Sequence, residues 1–80
     1  MKKELTKAAR LELGSLRLAI ISAAECARVG EWAAGYTCLV RGLHRAKMAA
    51  ERGASWGPAL VARYRRAVDE YVAQWGVPLE

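Results

Sequence analysis

The chain has 80 residues, 54% hydrophobic and 26% charged, with a formal net charge of +5. A chain this short buries only about 60–65% of the surface its unfolded form exposes, which excludes a second domain and leaves a thin core. Two cysteines exclude a disulfide framework, and the basic balance favours acidic partners without choosing among nucleic acid, lipid headgroups and acidic proteins.

The first predicted helix covers about residues 4–29. Leu5, Ala9, Leu13, Leu16, Ile20, Ala23 and Ala27 recur at the four- and three-residue spacing of one helix face. Gly30 stands where a left-handed C-cap belongs. The second helix covers about 31–52, with Glu31 and Arg52 placed favourably for the helix dipole. Its stripe is Trp32, Tyr36, Leu39, Val40, Leu43, Ala46 and Ala50. Gly35, Cys38, Gly42 and Ala49 form a band of small residues beside it, which implies close backbone-to-backbone packing. The third helix covers about 56–75, with Ser55 as its expected N-cap and Pro58 in its first turn. Leu60, Val61, Tyr64, Val68, Tyr71, Val72 and Trp75 form its stripe, and Gly76 and Pro78 stop it. The expected fold is all-α, one helical domain over residues 1–80, built as a three-helix bundle.

Ala19, Ala23, Cys26, Gly30, Trp32, Gly35, Leu39 and Gly42-Leu43 fall in register with a single tetratricopeptide repeat, and the first two helices resemble that helical hairpin. Cys26 stands in place of the usual aromatic, and Lys47 stands where the family often has proline. The resemblance implies a protein-binding hairpin without catalysis, with the third helix as its cap.

The first helix carries a second seam. Leu11, Ser15, Leu18, Ser22, Cys26 and Val29 lie roughly opposite the main stripe, whereas an edge helix needs a single apolar stripe. Either the other two helices cover both sides, or the seam meets another protein or a second copy of this chain. The interaction reading depends on Leu11, Leu18 and Val29 lying against protein. A lone chain with that flank bare would leave the charged surface as the lead. Trp56, in the connection between Gly53 and Gly57, either caps the core or anchors a partner.

The charged surface suggests an alternative. Arg41, Arg45 and Arg52 project within a narrow arc of the second helix, with no acid among them, and Lys3, Lys7, Arg10 and Arg17 cluster on a flank of the first. Arginine suits bidentate phosphate contact, so a basic accessory protein that grips nucleic-acid backbones without sequence specificity is the second reading. In the third helix, Arg65 and Arg66 precede Asp69 and Glu70 at the spacing of intrahelical pairs.

No catalytic residue, metal site or cofactor is expected. His44, the lone histidine, stands six residues from Cys38 on one helix, so the two point to different faces. No nucleophile elbow or phosphate-cradling glycine motif is present. The stretch after Met1-Lys2-Lys3-Glu4 is amphipathic, so neither a signal peptide nor a membrane span is expected, and two reduced thiols point to the cytoplasm. The sequence thus predicts a small helical interaction or assembly module, homodimeric in one version.

Overall fold

A computed structural model describes residues 7–76. Three α-helices follow one another: α1 Lys7–Arg28, α2 Trp32–Glu51 and α3 Gly57–Trp75. The described residues form no strand, so the protein is an all-α three-helix arrangement. Lys3, Glu4, Leu5 and Pro78 lie outside the described residues.

Both turns are set by glycine. Gly30 adopts φ +86° and Gly53 φ +91°, values that a side chain opposes. After α1, the Gly30 N–H donates to the Ala27 carbonyl and the Glu31 N–H donates to Cys26. After α2, Gly53 and Ala54 donate to Ala50 and Ala49 in the same paired pattern. These are Schellman caps, which satisfy the orphan carbonyls and reverse the chain.

α2 is the central element. α1 and α3 each pack along it and touch one another far less. Of the two explanations offered for the second seam of α1, cover by α2 on one side and α3 on the other is therefore excluded: α1 has one inward face. That face carries the buried residues Ala9, Leu16, Ala23 and Ala27, with Leu13 half-buried.

The small residues of α2 do not all serve backbone contact, as the sequence implies. A Cβ on Gly42 would overlap the Tyr64 ring of α3. A Cβ on Gly35 would lie 2.6 Å from the Tyr71 hydroxyl and 2.8 Å from the Ala23 carbonyl oxygen. The band is thus a set of notches for two tyrosines, with a backbone approach at Gly35 alone. Because α2 turns these notches inward, its buried face centres on Gly35, Leu39, Gly42 and Ala46. Trp32, expected in the core, is 50% exposed at one margin of that face.

The core has two clusters. Ala23, Ala27, Leu39, Ala67 and Tyr71 form one, and Leu16, Ala46, Leu60 and Tyr64 form the other. Alanine supplies much of this interior, so the apolar volume removed from water is small. α3 also begins later than its expected cap. Trp56 is the N-cap residue and makes no side-chain cap hydrogen bond, so Ser55 does not cap. Gly57 fixes this start: a Cβ there would lie 2.6 Å from the Ala50 Cα, so α3 begins where it crosses the end of α2.

Candidate functional site: the outer ridge of the first helix

The side-chain sizes on α1 are inverted with respect to burial. Its inner face is mostly alanine, while Leu11, Leu18 and Ile21, with Val29 in the turn just beyond its end, are 63%, 66%, 58% and 73% exposed. At 100° per residue, these four cluster on the side of α1 away from Leu16 and Ala23. Isolated exposed aliphatics are ordinary on a protein surface, but a row running the length of one helix is not.

Of the expected seam, Leu11, Leu18, Ser22 and Val29 are exposed. Ser15 and Cys26 are half-buried and sit at the edge turned toward α2, so they do not belong to the ridge. Ile21 does belong, although the sequence reading leaves it out. Gly14 also lies on this face, and a Cβ there would meet nothing within 4 Å. A glycine inside a helix costs about 1 kcal/mol relative to alanine. At Gly35, Gly42 and Gly57 a close neighbour accounts for that cost, whereas at Gly14 the described residues offer no neighbour within 4 Å.

Trp56 is not part of this surface. It is half-buried against the cluster of Leu16, Leu60 and Tyr64, capping the core. Its edge lines an open depression with Glu12, Arg45, Met48, Arg52 and Ala54.

The basic residues do not form one patch. Arg45 reaches across to α1, where its Nη2 lies 3.2 Å from Glu12 Oε2 and 3.4 Å from Oε1. The acid that engages this α2 arginine thus comes from α1, although the arc of α2 itself carries none. Arg41 and Arg52 are exposed, and among the described residues neither is ion-paired. Lys7, Arg10 and Arg17 are exposed too, but Arg10 and Arg17 lie roughly 140–160° around α1 from Glu12. The two basic groups thus flank α1 on different sides. The spaced pairs Arg65/Asp69 and Arg66/Glu70 do not close, and the second ion pair among the described residues is Arg28–Glu25 at 3.2 Å.

Burial shifts two tyrosines. Loss of hydration raises the Tyr64 phenol above its ordinary range; nearby Arg45 opposes the shift and Glu12 adds to it. Burial likewise raises Tyr71, with smaller contributions from Cys26 and Cys38. Both cysteines are free and half-buried. His44 is exposed, and the described residues contain no cluster of three or more His, Cys, Asp or Glu able to hold a metal ion. Among the described residues no helix is long and apolar enough to cross a membrane.

The chain matches no family model, and no curated protein and no solved structure is significantly similar to it.

Proposed function

We propose that this chain is a small, non-catalytic helical interaction or assembly module whose contact surface is the outer ridge of α1. Within one chain Leu11, Leu18 and Val29 are bare, the outcome that the sequence reading set against an interaction module, so the module stands only if a partner or a second copy covers them. What supports it is the distribution of side-chain size. The protein keeps alanines inside α1 and large aliphatics outside, and covering Leu11, Leu18, Ile21 and Val29 would contribute about 1–2 kcal/mol for each side chain. A thin, alanine-rich core gives such a chain a further reason to gain stability from a partner.

The likeness of α1 and α2 to a tetratricopeptide hairpin fits this reading. Ala23 is buried in the last third of α1, Gly30 makes the turn, and Gly35 receives the Ala23 carbonyl. In this reading α3 closes the side of α2 that a following repeat would occupy. Free thiols at Cys26 and Cys38 fit a reducing, cytoplasmic setting.

The phosphate-backbone reading ranks second. Arg41 and Arg52 remain open on α2, but Arg45 is engaged by Glu12 and the basic residues of α1 lie on another flank.

The test is retention from an extract of the native host on immobilised chain and on immobilised Leu18→Glu. The reading expects a protein, the chain itself included, that the first retains and the second does not. Identical retention by both contradicts it.

A further inference from the structure

We propose that the occupant of the α1 ridge is a second copy of this chain, paired antiparallel about a two-fold axis that sets Gly14 of each copy against Leu18 of the other. This rests on the ridge being a contact surface, and it names the partner.

Spacing provides the first support. Lys7, Leu11, Gly14, Leu18, Ile21 and Glu25 follow at intervals of four, three, four, three and four residues, and all six are exposed. That is the alternation of a two-helix seam, in which positions a and d of one helix face the other. When two such helices run antiparallel, a positions oppose d positions. Leu11 then meets Ile21, Leu18 meets Gly14 and Lys7 meets Glu25. The two-fold axis repeats each contact, as a closed isologous dimer requires.

Charge gives the second support and selects the direction. The seam ends in a cation at Lys7 and an anion at Glu25. The antiparallel pairing joins opposite charges at both ends. A parallel pairing stacks Lys7 on Lys7 and Glu25 on Glu25. The Glu25 carboxylate already holds Arg28 at 3.2 Å, and both side chains are exposed, so Lys7 of the second copy can join the pair from outside.

The third support is the open space at Gly14. Each buried helical glycine of this chain faces a neighbour that a Cβ would strike, whereas Gly14 faces nothing within 4 Å. Leu18 of the second copy fills that space. The pairing has one opposing feature: Arg17 lies on the flank of the seam close to the axis, near Arg17 of the second copy. Removing that charge should tighten the dimer.

Sedimentation velocity across a concentration series tests the proposal. A single helix pair buries less than a standard interface, so the weight-average mass of the intact chain should climb from one copy toward two between about 10 µM and 1 mM. Gly14→Lys improves helix propensity and its Cβ meets open space, so it should fold and, despite Arg10 and Arg17 beside it, melt no lower, yet weaken association by about tenfold or more. Lys7→Glu should weaken association several-fold, and adding Glu25→Lys should restore it. A wild-type chain that stays monomeric throughout overturns the proposal. So does a dimer that Gly14→Lys leaves intact, or one that the double charge reversal fails to restore. A monomer that still retains another protein through Leu18 overturns the dimer and keeps the interaction module; a monomer without such retention removes both.

Discussion

The Tyr71 hydroxyl donates a 2.7 Å hydrogen bond to the carbonyl oxygen of Trp32, joining the last turns of α3 to the first turn of α2. The same ring fills the notch at Gly35 and lies 6.5 Å from the Tyr36 ring, centroid to centroid. One side chain thus ties α2 to α3 by polar and apolar means together. Tyr71→Phe removes the hydrogen bond and keeps the ring, so it should cost about 1 kcal/mol. Tyr71→Ala also empties the notch and should cost about 3–5 kcal/mol, a large share of what a domain this small possesses. Urea titration followed by circular dichroism measures both.

Glycine substitutions should separate the inner face of the bundle from the outer ridge. Gly42→Ala drives a methyl group into the Tyr64 ring and should destabilise by about 1–3 kcal/mol. Gly14→Ala meets open space and relieves a helix-interior glycine, so it should stabilise the dilute chain by about 0.5–1 kcal/mol. Opposite shifts in melting temperature are expected. A loss at both positions would mean that Gly14 is packed within the chain.

Alkaline pH should unfold the protein through its buried phenols. Tyr64 and Tyr71 are both raised by burial, so the folded state holds their protons more tightly than the unfolded state does. Their contribution is fully present below the ordinary tyrosine value of 10.0 and is lost as pH rises through the higher folded values. Denaturant midpoints should be insensitive to these groups at neutral pH and fall above pH 10. Tyr71→Phe should reduce the slope of that fall.

The Glu12–Arg45 pair bears on stability and on the second functional reading. It is largely exposed on the Arg45 side, so Glu12→Gln should cost no more than about 1 kcal/mol, and less at high salt. If the arginines of α2 grip phosphate, freeing Arg45 should strengthen binding to labelled single- or double-stranded nucleic acid. Arg41→Glu with Arg52→Glu should then abolish it. Fluorescence titration at about 50 mM salt decides the matter, since backbone contacts are strongest there.

The helices and their ends were largely legible because they rest on local chemistry. Glycines at 30, 53 and 76 take positive φ, as their places after three apolar stripes suggest. The neighbour of each stripe was not legible. A four-and-three pattern marks a face as apolar without saying what covers it, so the second seam of α1 invited a sandwich that the fold does not make. Trp32 sat on a stripe, but the tyrosines that enter at Gly35 and Gly42 turn α2 so that its margin stays wet. Ser55 looked like a cap until the approach of Gly57 to Ala50 moved the start of α3. The Arg45 partner lies 33 residues away on another helix, beyond any local pattern. Ile21 and Gly14 could have been found, because they continue the spacing that joins Leu11 to Leu18.

Whether the outer ridge of α1 meets protein in the cell can be measured with a photo-crosslinking amino acid placed at residue 18. The control is the same probe at Ala62, exposed on α3. Irradiation in the native host should give a discrete adduct at residue 18, at the mass of two chains or of the chain plus another protein, and little at residue 62. Equal, diffuse labelling at the two positions would contradict the account, because Leu18 would then face water alone.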